Sequence, residues 1–324
     1  MPEAPNPVTV FLPFGLFMFI MLGSLIAPSL GLMLSLLMPA PLVLLYLQHG
    51  KSAGMFALGA VLVVLSLTAG LNAAMGFAVA YAIVVVFLAE GIRFNLPPDK
   101  TIAVAALSAA LLSGILIWIT LTGEGHSPVE FLQGKLKVIA EDSLKAFKES
   151  GASAEEMALM KEATQYYVSA ISRAPVAILV VGAMLTATLN YLLVRSLWLK
   201  FYPATYFQDS EPANWILPDQ IVWGFILSFG TLFLGDGAIK WVGLNIFIIV
   251  LTLYYFQGLA IALSILKAKK AHVVVSGIVF LLVLTQPPMI GLAIGLGLFD
   301  TWVDFRKIRK PVIPAQDEPE DYED

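Results

Sequence analysis

Two carboxylates four residues apart, Asp300 and Asp304, close the last long apolar stretch of the chain, in Gly297-Leu-Phe-Asp300-Thr-Trp302-Val-Asp304-Phe-Arg306-Lys307. On a helix that spacing sets both on one face, with Trp302 and Arg306 sharing another. Carboxylates so close repel each other unless cations answer them, and an unanswered pair holds one proton above the ordinary range. The stretch therefore predicts either proton or cation coupling, or ionic anchoring with Lys307 and Arg93 or Arg195 as countercharges. A second polar group, Asp236, Lys240, Asn245, Thr285 and Gln286, falls at the ends of four successive apolar stretches. Brought to similar depth, it would make a polar mouth able to capture a small solute; the competing reading is that Asp236 and Lys240 pair across a turn. Asn190 and Gln257 lie inside apolar stretches, where hydrogen bonding between helices is the expected use. Glu90 and Arg93, one turn apart, form a local pair.

Other chemistry finds little to work with. The three histidines, His49, His126 and His272, sit at separate junctions, and there is no cysteine. Neither a metal site nor a disulfide is expected. No GxSxG, HExxH or phosphate-loop pattern occurs, so no catalytic residue, no cofactor and no enzymatic activity are expected.

The elements that must position these groups are membrane spans. With 59% hydrophobic and 13% charged residues the chain lies far outside soluble composition. Six of its 23 acidic residues crowd into the last eight positions, so the net charge of -4 says little about the rest. A crossing needs about 17 to 25 apolar residues, because inside the hydrocarbon every amide must bond within its own helix. Ten stretches qualify: 9–27, 30–47, 53–71, 73–91, 101–122, 174–197, 220–235, 241–265, 272–287 and 289–305. Pro13, Pro28, Pro39 and Pro41 are expected to kink the first two, and eight spans is the alternative count. Every second junction is basic, with Lys51, Arg93, Lys100, Arg195, Lys200, Lys267, Lys269, Lys270, Arg306, Lys307, Arg309 and Lys310 on one side. Only Lys240 lies in the short turns of the other side. That asymmetry places both termini in the cytoplasm. It also explains the basic residues without nucleic acid, since they form no continuous patch.

The organisation follows as N-terminal membrane helices (1–122), an insert (123–173), C-terminal membrane helices (174–310) and a disordered acidic tail (311–324). In the insert, Val129, Leu132, Leu136, Ile139 and Phe147, then Met157, Met160, Tyr167 and Ile171, recur at helical spacing around a break at Glu149-Ser150-Gly151-Ala152. An amphipathic helical hairpin outside the cytoplasm is expected, acting as an interfacial cap, a ligand lid or a partner-binding arm. Gly291, Gly295 and Gly297, with Ala74, Ala78, Ala82, Ala105 and Ala109, read as close-packing seams. The aromatic connection 198–219 reads as an interfacial anchor.

Trp215-Ile-Leu-Pro218-Asp219-Gln-Ile-Val-Trp223, the terminal Gly297-to-Arg306 motif, the proline-bearing opening spans and Tyr46-Leu-Gln-His49-Gly50 together resemble the YybS-like family of bacterial integral membrane proteins. That family is distantly similar to the substrate-binding subunits of energy-coupling-factor vitamin transporters, which usually have about six spans. The resemblance implies a bacterial inner-membrane protein that binds a small solute and works beside a transmembrane coupling subunit with its ATPases. Gly23 and Ala27 have the small-residue spacing such subunits use toward that partner. The expectation is an all-α polytopic bundle serving as a transport-related solute-binding subunit without its own ATPase. The alternative is a non-catalytic scaffold docking partners through the hairpin or the tail.

Overall fold

The structure, a computed structural model, describes residues 7–26, 31, 34–123, 125, 127–203, 205–207 and 211–308. Pro28, Ala27, His126, Arg309, Lys310 and the acidic tail lie outside these residues. The described chain is helical, with no strand: α1 (Pro7–Ile26), α2 (Pro39–Ala69), α3 (Leu71–Arg93), α4 (Pro98–Gly123), α5 (Pro128–Glu149), α6 (Ala154–Ile171), α7 (Pro175–Phe201), α8 (Ile221–Leu234), α9 (Gly237–Ala268), α10 (Val273–Thr285) and α11 (Pro287–Val303).

Ten crossings are not what these helices provide. Five of them, α2, α3, α4, α7 and α9, are long and apolar enough to cross a membrane, and a sixth crossing exists if α10 and α11, bent by 97°, count as one. Helix breaks account for part of the difference. Within the stretch expected to cross at 30–47 a helix starts at Pro39, whose missing N–H suits the first turn, and Gly50 then leaves helical geometry at φ 84°. The arm between them is about 16 Å long, half of the hydrocarbon thickness. Likewise α8, with 14 residues, spans about 21 Å. Apolar composition counts residues but does not register such breaks.

Chain contacts define two compact units: residues 1–211 with 223–249, and residues 212–222 with 250–324. In the first, α3 and α4 form a tight corner: a Cβ at Gly91 would stand 2.9 Å from Thr101 Cγ2. The expected alanine seam holds on α4, where Ala105, Ala106 and Ala109 are buried beside the inward residues Val85, Leu88 and Ala89 of α3. Midway along α3, Ala78–Ala82 widen into a π-helix, and the Ser113 hydroxyl of α4 donates to the Val79 carbonyl at 2.6 Å. That bond occupies a carbonyl in a segment where regular i to i−4 pairing is interrupted. α7 packs on α4, a Cβ at Gly114 lying 3.2 Å from the Leu179 side chain. Asn190 of α7, fully buried, donates to Leu36 O and Thr186 O at 2.7 Å each, tying α7 to the turn before α2.

α5 and α6 form the hairpin foreseen in the sequence. Each begins with a capping box, Ser127 with Glu130 and Ser153 with Glu156, which satisfies amides that a first turn leaves open. The break falls at Ser150–Gly151, where Gly151 adopts φ 88°. Leu132, Leu136, Leu144 and Phe147 of α5 and Met157, Met160 and Val168 of α6 are half-buried, whereas Ile139 and Tyr167 are exposed.

In the second unit, α9 beyond Ile249 packs against α11 with backbones nearly touching. A Cβ at Gly258 would run into the Ala293 carbonyl, and one at Gly297 into the Tyr254 carbonyl. Gly291 and Gly295, the pair with GxxxG spacing, have nothing within 4 Å. The seam therefore runs through Ala293 and Gly297, one face further round the helix.

Candidate functional site

The close approach of α9 and α11 decides what happens to the polar residues beside it. Gln257 adjoins Gly258, and Asp300 lies one turn after Gly297, so the two side chains are within reach. Gln257 Nε2 donates to Asp300 Oδ2 at 3.0 Å, and Arg306 Nη2 donates to the same oxygen at 2.9 Å. The other oxygen, Oδ1, accepts from the Phe305 amide at 2.9 Å. Arg306 Nη1 donates to the Ala213 carbonyl at 2.7 Å, and the Leu217 amide donates to Gln257 Oε1 at 3.0 Å. The Arg306 and Asp300 side chains are 2% and 1% exposed. Trp215 stacks on Phe256 with ring centroids 5.8 Å apart.

Asp300 and Asp304 take different partners. α11 ends at Val303 because Asp304 takes a left-handed φ of 45°, which turns Arg306 back under the helix toward Asp300. Asp304 instead accepts from the Ile308 amide at 3.2 Å, and Trp302 is exposed. The expected repulsion between two carboxylates is thus replaced by one buried, ion-paired aspartate. Its countercharge is Arg306, six residues on, a spacing that no helical pattern pairs.

A buried carboxylate is tolerated when it is paired and hydrogen-bonded, and Asp300 meets both conditions with three donors. Arg306 keeps one donor, Nε, buried and without a partner. The node therefore binds backbone and side chain across α9, α11 and the 213–217 segment. Gln257 met the sequence expectation of bonding between helices; its partner could not be read, because Gln257 and Asp300 are 43 positions apart.

The proposed mouth residues lie apart in their roles. Asn245 is fully occupied within the first unit: Nδ2 donates to Arg173 O at 3.1 Å and Trp241 O at 2.8 Å, and Oδ1 accepts from Ala177 N at 2.8 Å. It fastens α9 to the start of α7. Asp236 and Lys240, in the same unit, are exposed. Thr285 and Gln286 belong to the second unit and are exposed, the Thr285 hydroxyl bonding back to Leu281 O at 2.7 Å. Glu90 does pair with Arg93, at 3.3 Å, and gathers more than the sequence foretold: Lys51 Nζ at 3.5 Å and the Tyr46 hydroxyl. Among the described residues no group of three or more His, Asp or Glu side chains could hold a metal ion.

No curated protein and no solved structure matches this chain. A family model described as "Predicted membrane protein (DUF2232)" matches residues 15–301, nearly the whole helical region that carries the buried node. With its apolar helices of crossing length and this match over most of its length, the chain belongs to that family of membrane proteins.

Proposed function

We propose that this protein is a transport-related, small-solute-binding subunit of the bacterial inner membrane that draws its energy from a separate coupling partner. The observation that carries the reading is the Gln257–Asp300–Arg306 node. The segments from Trp215 to Trp223 and from Gly297 to Arg306 carried the resemblance to YybS-like proteins, and they converge there through the Leu217 and Arg306 bonds. Ionisable groups buried in membrane helices are expensive and are kept where they serve function. The five or six crossing helices support the same reading, since energy-coupling-factor substrate subunits have about six. Asp236 and Lys240, exposed at the α8–α9 turn, are the capture residues of this proposal, with Asn245 holding the frame behind them. Both termini are cytoplasmic in this reading, and the hairpin lies outside.

The test is purification of the full chain in mild detergent, followed by thermal unfolding across a panel of vitamins and small metabolites. Stabilisation by one compound, abolished in Asp236→Ala with Lys240→Ala, is the expected outcome, together with co-purification of a coupling ATPase pair. A flat panel and a pull-down containing only envelope-assembly proteins would favour the scaffold, for which the uncovered faces of the hairpin speak.

A further inference from the structure

Charge thins along the hairpin toward the foot of α6, while the foot of α5 keeps Glu130, Lys135 and Lys137. Residues 141–162, around the tip, hold nine of its charged side chains, whereas residues 163–171, the part of α6 next to the spans, hold none. In that uncharged part Tyr166 is 72% and Tyr167 61% exposed, with their rings edge-to-face at 6.0 Å. Phe131 and Val129, at the matching end of α5, are also exposed, beside Glu130 and with the Lys135 ammonium 5.5 Å over the Phe131 ring. An apolar surface left open at the foot of a polar hairpin calls for a cover, and its position says which.

Both feet stand on crossing helices. α4 and α7, of 26 and 27 residues, are about 40 Å long and so outreach the roughly 30 Å hydrocarbon core into the headgroups. An apolar row on α4, Leu107, Leu111, Ile115 and Trp118, is exposed and runs up to that end. At the other foot, the Arg173 guanidinium lies 4.1 Å over the Trp241 ring, a cation and an indole of the kind that settle at the bilayer boundary. The open surface of the hairpin foot therefore adjoins the ends of α4 and α7 that reach past the hydrocarbon core.

We propose that the foot of the hairpin, Val129 and Phe131 with Tyr166, Tyr167 and Ile171, is a lipid-docking surface seated in the headgroup layer, holding the charged tip in water. Residues 127–173 carry six basic and seven acidic side chains, so the attachment is apolar and aromatic and does not need anionic lipid. This differs from a polybasic attachment, which weakens with salt.

Because the chain has no cysteine, single cysteines introduced into the full protein are unique probes. Tyr166→Cys, Ile171→Cys, Lys148→Cys and Leu111→Cys, each nitroxide-labelled and reconstituted in phosphatidylcholine vesicles, would be compared for collision with oxygen and with a water-soluble nickel chelate. The expected result is an oxygen-to-chelate ratio at 166 and 171 several-fold above that at 148 and approaching that at 111. It should not change with added phosphatidylglycerol or high salt. Chelate-dominated collision at 166 and 171 would overturn the proposal. So would loss of both collisions with spin broadening between labels, the sign of a second copy seated there. A solute-binding result elsewhere leaves either outcome readable.

Discussion

Removing the Asp300 carboxylate leaves the Arg306 guanidinium buried with the Ala213 carbonyl as its remaining acceptor. Breaking one side of a buried pair costs about 3–5 kcal/mol, because the other charge stays out of water. Asp300→Ala is therefore expected to lower the thermal unfolding midpoint strongly, whereas Asp300→Leu combined with Arg306→Met removes both charges and recovers most of the loss. Equal losses in the two variants would show that the pair is not what holds the node. The glycines give a contrasting expectation. Gly258→Ala drives a methyl into the Ala293 carbonyl and should cost about 1–3 kcal/mol. Gly291→Ala meets nothing and should gain about 0.5–1 kcal/mol from the stiffer backbone of alanine. Unfolding of the two variants side by side checks both signs. The polar types at Gln257 and Asp300 were legible as groups needing partners. Which glycine made the helix contact was not, since three glycines on one apolar helix look alike until the partner helix is in place.

The hairpin helices start where their sequences say they must, since Ser-x-x-Glu satisfies first-turn amides locally and needs no distant partner. Ser153→Ala should weaken the start of α6 by about 1 kcal/mol, seen as faster amide exchange in its first turn. The Ser153 amide and hydroxyl, which donate to the Glu156 carboxylate at 2.8 Å each, hold that carboxyl below its ordinary range. A depressed folded value means the stabilisation is complete above the unfolded carboxylate pKa and is lost as the pH falls through the lower folded one. Protection of the first-turn amides of α6, relative to their intrinsic exchange at each pH, should therefore fall on acidification below the ordinary carboxylate range, and Glu156→Gln should flatten that dependence. Helix ends set by distant contacts were harder to read. The left-handed Asp304 ends α11 four residues after Asp300, and so dissolved an expected i,i+4 pair.

Across the whole molecule the same division appears in the count of crossings. α4 and α7 each have crossing length and pack with Gly114 against Leu179, near the hairpin end of both. Reporters inserted after Asn95 and after Tyr202 are therefore expected in one compartment, and one after Ser150 in the other. A signal from the same side at all three positions would remove α4 and α7 as spans. By itself, the sequence determined the membrane class, the helical hairpin, and the residues that needed buried partners. Each of these follows from local chemistry: hydropathy and helical spacing. The tertiary structure alone decided how many apolar stretches run unbroken, which glycines touch, and that Asp300 pairs with Arg306 and Gln257 while Asp304 takes different partners. Those outcomes depend on backbone breaks at Pro39, Gly50 and Asp304 and on the approach of helices distant in sequence, which no local pattern records.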